Sequence, residues 1–390
     1  IASMNTIPEH INSGPWMLDP AITYLNHGSF GARTVEVFEA QQSIKRSFES
    51  SPVDFLDRRH HLITEARECI CSFVGADTDG FGFVDNATTG VGAVVSSAKL
   101  VQGDEILTTS LVYNGVRQLL KHHCKENDLL YREVEILLPV ESSDSIVSLI
   151  ESSMTSKTAL LVVDHIASAS AVVFPVMDII QLCRQKGVLV LVDGAHAPGM
   201  VELSINSLQP DWYVANLHKW TCAPIGAAFV WASASHRKST HPLTISHGLD
   251  KGLQEEFDWQ GTRDVSSWIA AVDAVQSGAE IGWDTIRAHN HELALWMQDY
   301  LLKAWNTESL TPLDGNMLGS MATLYLPENA PNELDTCTAL RDKIYDKYAL
   351  EVPIFPIQGR GALRVSAQLY SAEEDIERLV AAISSIGIFE

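Results

Sequence analysis

The chain contains no apolar run near the ~18 residues that a bilayer-spanning helix needs. It is also poor in positive charge, with 27 Lys and Arg against 49 Asp and Glu and a net charge of −22. The first absence argues against a membrane span. The second argues against nucleic acid and anionic membrane surfaces as partners, since like charges repel. Cysteine is scarce and unpatterned. The six present (Cys69, Cys71, Cys124, Cys183, Cys222 and Cys337) show no CxxC or zinc-ligand spacing and read as reduced, buried side chains. No repeat, low-complexity tract or long linker is visible. The opening "IASMNTIPEH" lacks a charged region followed by an apolar one, so no secretory signal is expected and a cytoplasmic location fits.

What is present is a core. Hydrophobic residues make up 46% of 390 positions, enough for roughly two to three domains at ~150 residues each. From about Gly80 to Ala232, short apolar runs ("FGFV", "EILTT", "ALLVVDH", "VLVLVD", "WYVAN", "GAAFVWA") alternate with segments of helical spacing. Strands apolar on both faces, separated by helices, predict a mostly parallel α/β sheet. After about Ala270 the pattern shifts to one long helix, "WIAAVDAVQSGAEIGWDTIRAHNHELALWMQDYLLKAW", then short strands and amphipathic helices. The expected division is an N-terminal segment over 1–30 packing on the active site, a large α/β domain over 31–270 and a small α+β domain over 271–390. Up to about Ser72 the large domain is expected to contribute an extension and one helix, "RTVEVFEAQQSIKRSFE".

In doubly wound sheets, ligands bind at the carboxyl ends of the strands, so polar residues just after each apolar run are the candidates. "DNATTG" follows "FGFV"; Thr88 and Thr89 there suit a phosphate at a helix N-terminus, or an ordinary threonine cap. "DGAHAPG" follows "VLVLV"; Asp193 at an apolar strand tip needs a positive partner such as a protonated ring nitrogen, or else caps a turn. His196 lies in the same turn. "LHKW" follows "WYVAN", and a desolvated Lys219 there has a lowered pKa and becomes a usable amine nucleophile. Phosphate cradle, strand-tip acid and buried amine together match the needs of pyridoxal 5'-phosphate, with Lys219 as the Schiff-base lysine and later a general base.

"YLNHGSFGA", "SPVDFLDRR", "FVDNATTGV", "VDGAHAPGM", "NLHKW", "PLTISHG", "EFDWQGTRD" and "NMLGSMATLYLP" carry a wider resemblance. Across nearly its whole length the chain resembles fold-type I, class V pyridoxal 5'-phosphate enzymes, and within them the isopenicillin N epimerase-like group. The resemblance implies that Lys219 carries the cofactor, that Asp193 binds its pyridine nitrogen, and that His196 lies near its phenolic oxygen or the Schiff base. It implies that Thr88, Thr89 and His218 hold the phosphate, with Asn216 where relatives often have serine. Thr262 would be a phosphate ligand donated by a partner subunit, which makes the expected form a homodimer with shared sites. Arg364 would grip the substrate α-carboxylate, and Asn26, His27 and Gly28 would close over the substrate. Tyr113 would stack on the cofactor ring and Ser168 would face its oxygen.

The chain departs from the group in two places: "SLVYNG" replaces the usual "DHEYNA", and Ala167 replaces a threonine in "DHIASASA". Both bear on substrate and reaction, not on the anchor. Arg58 and Arg59 are further candidates for a substrate carboxylate, or lie on a solvated helix face. The pairs His60–His61 and His122–His123 point apart on helices, so no metal site is expected. The expected activity is Cα chemistry on an amino acid, with an epimerase or racemase reaction leading. Tyr113 is then the candidate second acid. A C–S lyase acting by β-elimination on cysteine or a derivative is the alternative; an aminotransferase or a catalytically silent scaffold stays open. A desulfurase is disfavoured, because Cys337 lies in a helical stretch far from "LRVS".

Overall fold

A computed structural model describes residues 15–387. Residues 1–14 of the expected 1–30 segment therefore lie outside the described residues. Seven strands form the central sheet: β2 (Phe81–Val84), β3 (Glu105–Thr109), β4 (Leu130–Val134), β5 (Thr158–Asp164), β6 (Leu189–Asp193), β7 (Trp212–Asn216) and β8 (Ala228–Ala232). Their spatial order is β2-β8-β7-β6-β5-β3-β4. The block from β7 to β4 is parallel, while β8 runs antiparallel to both β7 and β2. Most of these strands are buried on both faces, as a sheet covered by helices on each side requires.

The strands at "FGFV", "EILTT" and "WYVAN" fall on the predicted residues. β4 has no counterpart in the sequence reading. "LYREV" is charged and half-exposed because it lies at the sheet edge, so it lacks the apolar signature of its neighbours. A second helix also escaped the sequence pattern. After Val35–Ser50, Pro52 opens a new helix, Pro52–Val74, at a position where its missing N–H is harmless. The single long helix expected from Trp268 is three: Ser266–Ile269, Ala271–Ile281 and Trp283–Trp305. Gly282, at φ +97°, ends the second and opens the third.

A separate sheet, β11 (Ile354–Ile357), β12 (Arg360–Ser366) and β9 (Met321–Tyr325), is antiparallel throughout. It packs with the helices Trp283–Trp305, Leu334–Tyr348 and Glu373–Ile386 around its own apolar core, which includes Leu25, Leu293, Met297, Leu324, Ile344 and Ile376. Leu25 belongs there because Thr23–Tyr24 (β1) pairs in parallel with Leu350–Glu351 (β10). The chain then crosses toward the large sheet through Asn26–Gly31. No helix of the described residues is long and apolar enough to cross a membrane.

Candidate active site

The carboxyl ends of β5, β6 and β7 share one edge. Asp193 ends β6, and its Oδ1 accepts the Ala195 N–H at 3.0 Å. Its second oxygen takes no hydrogen bond from the described residues. Asp164 ends β5 directly beside it, in register. The backbone at Tyr113 favours the charged form of the Asp164 carboxylate, yet Oδ2 is buried without a partner. Burial raises Asp193 to about 6, opposed by the Ala195 N–H and by Lys219. Burial, with the Asp193 carboxylate next to it, lifts Asp164 well above the carboxylate range. Of the pair, Asp164 keeps its proton and Asp193 ionises first. Asp164 was not singled out from the sequence, although it stands just after an apolar run in "LVVDH", the signal that marked Asp193.

Lys219 sits in the turn after β7. Its carbonyl accepts the N–H of Cys222, which has the left-handed φ of +58°. Its Nζ lies 3.1 Å from His196 Nε2, and the other nitrogen of that ring accepts the Trp220 indole N–H at 3.2 Å. Burial holds the Lys219 amine down at about 8, with the Arg364 guanidinium pushing the same way and Asp193 and Asp164 opposing. The turn is braced from behind. His27 is fully buried, bonded through Nε2 to the Lys219 carbonyl at 3.0 Å and through Nδ1 to Tyr370 and the Ala32 N–H. His27 therefore supports the lysine backbone, and burial keeps its ring neutral, near 4. Gly31 presses the same backbone. A Cβ there would come within 2.3 Å of the Lys219 carbonyl oxygen and 2.6 Å of that of His218.

The helix Ala87–Ser97 begins at this edge. Asn86 caps it by accepting the Thr89 N–H at 2.8 Å, and Asn216 Oδ1 accepts the Ala87 N–H at 2.8 Å. The Thr89 hydroxyl also donates to Asn86. Asn216 and Thr89 thus build the cap, while the Thr88 N–H at the positive end of the helix dipole has no acceptor among the described residues. His218 donates from Nδ1 to the Ala227 carbonyl at 3.2 Å, and burial lowers it to about 4. The Tyr113 ring, just before the helix Asn114–Glu126, is 48% exposed.

Arg364, on β12, is 2% exposed and forms no ion pair among the described residues. Nη1 donates to the Ser168 carbonyl, Nη2 donates to Ser29 Oγ at 2.8 Å, and Nε is buried without a partner. Burial brings this guanidinium down to about 10. Gly28 permits the close approach, since a Cβ would lie 2.3 Å from Met321 Sδ and 3.2 Å from Arg364 Nη2. The Asn26 side-chain oxygen beside it is buried and unpartnered. Two expected residues stand apart from this group. Arg58 is exposed and paired with Asp54 at 2.9 Å, whereas its neighbour Arg59 is buried and stacked 4.2 Å over the Trp259 ring. Thr262 is exposed, in a cleft of about 340 Å³ lined by Ile44, Phe48, Phe55 and Arg59.

The donor set fits pyridoxal 5'-phosphate. A free helix-terminal amide suits a phosphate, and a strand-tip carboxylate with an open oxygen suits a pyridinium nitrogen. An amine of lowered basicity lies beside them, and a buried unpaired guanidinium awaits an anion.

Comparison with known proteins agrees. Residues 36–379 match the family described as aminotransferase class-V. The isopenicillin N epimerase of Amycolatopsis lactamdurans is 30% identical over 388 residues, covering 95% of this chain and 96% of that protein. A probable chloroplastic L-cysteine desulfhydrase of Arabidopsis thaliana is also 30% identical, over 94% of this chain and 83% of that protein. The solved structure of the cystine C–S lyase C-DES with cysteine persulfide superimposes with a TM-score of 0.78 at 19% identity, covering 93% of this chain and 97% of that one. The chain belongs to the class-V aminotransferase family of pyridoxal 5'-phosphate-dependent enzymes.

Proposed function

We propose that the protein removes the Cα proton of an amino-acid substrate, with Lys219 as the base, and completes a β-elimination on cysteine or a cysteine derivative. The observation that carries the proposal is the Lys219 amine held at about 8, at the edge shared by Asp193 and Asp164, with the unpaired Arg364 acting on it. An amine of that pKa is about one-tenth unprotonated at pH 7, several hundred-fold more than an ordinary lysine, and is still basic enough to take a proton.

When bound, pyridoxal 5'-phosphate supplies the sink for the negative charge that develops at Cα. Lys219 would hold it covalently, Asp193 would pair with its ring nitrogen, the Thr88 amide and His218 would meet its phosphate, and Tyr113 would cover one face. Arg364 binds the substrate carboxylate through a planar fork of donors, which fixes the direction of the Cα–H bond. Lys219 takes the Cα proton. The electron pair left behind forms the Cα–Cβ double bond as the C–S pair departs with sulfur, and hydrolysis then yields a keto acid and ammonia. Elimination needs one base at Cα. The described site provides one, since His27 is held by Tyr370, Ala32 and the Lys219 carbonyl.

Epimerisation is the second reading. It needs an acid on the opposite face, and the half-exposed Tyr113, whose hydroxyl has no protein partner among the described residues, favours it. A homodimer in which Thr262 reaches the neighbouring phosphate site accords with its exposure.

The test is a panel of L-amino acids including cysteine, cystine and cysteine conjugates, assayed for keto acid with sulfide, for the D-isomer and for aminated cofactor. Sulfide with keto acid supports elimination. D-isomer alone replaces it with epimerisation, and aminated cofactor alone replaces it with transamination. Lys219→Ala removes all three, and turnover at the wild-type rate in that variant refutes the role of Lys219.

A further inference from the structure

Trp220 is 1% exposed, and its one polar atom points at His196. The indole N–H is a donor only. His196 Nδ1, 3.2 Å away, must therefore present a lone pair, and the hydrogen of the neutral imidazole must sit on Nε2. Nε2 is the nitrogen that faces the Lys219 amine, at 3.1 Å. We infer that Trp220 is a positioning residue that locks His196 as the Nε2–H tautomer, so that His196 serves the reactive lysine as a hydrogen-bond donor and never as a proton acceptor.

The argument is geometric. To become an imidazolium, His196 would need a hydrogen on Nδ1, aimed at the indole hydrogen. To become the other tautomer, it would need the same hydrogen. Both require Trp220 to leave a fully buried position, where its ring packs 4.8 Å from that of His27 and His27 in turn holds the Lys219 carbonyl. His196 is itself 1% exposed, so no solvent route relieves the conflict. The charged and titratable groups acting on the ring are Lys219, Arg364, His218 and His27, and each of them disfavours a second positive charge there.

Two consequences follow for the site. An Nε2–H can donate to an amine lone pair but cannot accept from an ammonium, so the contact selects the neutral form of Lys219. The same hydrogen can satisfy an anionic oxygen brought beside the lysine. His196 is then excluded as the second base of an epimerase, which leaves Lys219 as the group that moves the Cα proton. This inference rests on the proposed role of Lys219, but its direct readout does not depend on turnover.

The experiment is nitrogen-15 NMR of the histidine side chains in the holoenzyme, with His196 assigned by the signals lost in His196→Gln. In wild type, His196 should show the Nε2–H pattern and no protonation between about pH 5 and 9. In Trp220→Phe, which removes the donor and keeps the ring, Nδ1 should become available. The tautomers should mix, and the protonation midpoint should rise by about one pH unit or more. An Nδ1–H pattern in wild type overturns the inference, as does an unchanged tautomer and midpoint in Trp220→Phe. The wild-type spectrum decides the question if the variant does not fold. Failure of the functional reading is separately visible as absence of the cofactor's absorbance, with the tautomer of His196 still measurable.

Discussion

Asp164 and Asp193 end adjacent parallel strands in register, two buried carboxyl groups side by side, each with an oxygen that takes no hydrogen bond from the described residues. Such a pair cannot hold two negative charges cheaply, and the proton stays on Asp164. Its folded pKa is raised above the unfolded value near 3.9. The native state therefore keeps a proton that the unfolded chain releases, and stability falls as pH rises above about 4. Asp164→Asn removes this liability while keeping the size and shape of the side chain. Urea denaturation of the apoprotein should show the variant gaining on wild type as the pH is raised from 5 to 7. A gain independent of pH would place the proton elsewhere.

Arg364 is a buried cation whose Nη atoms are held by a carbonyl and a hydroxyl rather than by a carboxylate. Arg364→Lys keeps the charge and loses the planar fork. We expect kcat/KM to drop about 10- to 100-fold, corresponding to one charge-assisted hydrogen bond of roughly 1.5–3 kcal/mol, with KM affected at least as strongly as kcat. Steady-state kinetics on the best substrate of the panel checks this. An unchanged KM would remove Arg364 from substrate binding.

Gly31 packs on the backbone that carries Lys219, where the atoms a methyl group would meet are carbonyl oxygens that cannot rotate away. Gly31→Ala should destabilise the protein by about 1–3 kcal/mol. It should also weaken cofactor retention, read as loss of the cofactor's visible absorbance on dialysis. Gly103→Ala, where nothing lies within 4 Å but φ is +90°, separates backbone strain from contact. It should cost stability without affecting retention.

Much of this was legible because the sheet writes itself into the sequence. β2, β6 and β7 are apolar on both faces, so their ends are marked by the first polar residue, and Asp193 and Lys219 stood out for that reason. Asp164 carried the same mark but lacked a visible partner, since its partner is a carboxylate on the next strand. β4 and the helix Pro52–Val74 were obscured for a different reason. Both are half-exposed, and periodicity fades where only part of an element meets the core. The tautomer of His196 depends on which atoms meet across the turn from Trp220, and spacing along the chain does not encode that.

The pairing of Thr23–Tyr24 with Leu350–Glu351 gives the amino-terminal crossing a mechanical meaning. One end of that crossing is tethered to the smaller unit, and the other rests on the backbone beneath the reactive amine. Arg364 stands on the sheet of that same unit, so the grip on an incoming carboxylate and the support beneath the lysine turn are anchored in one body.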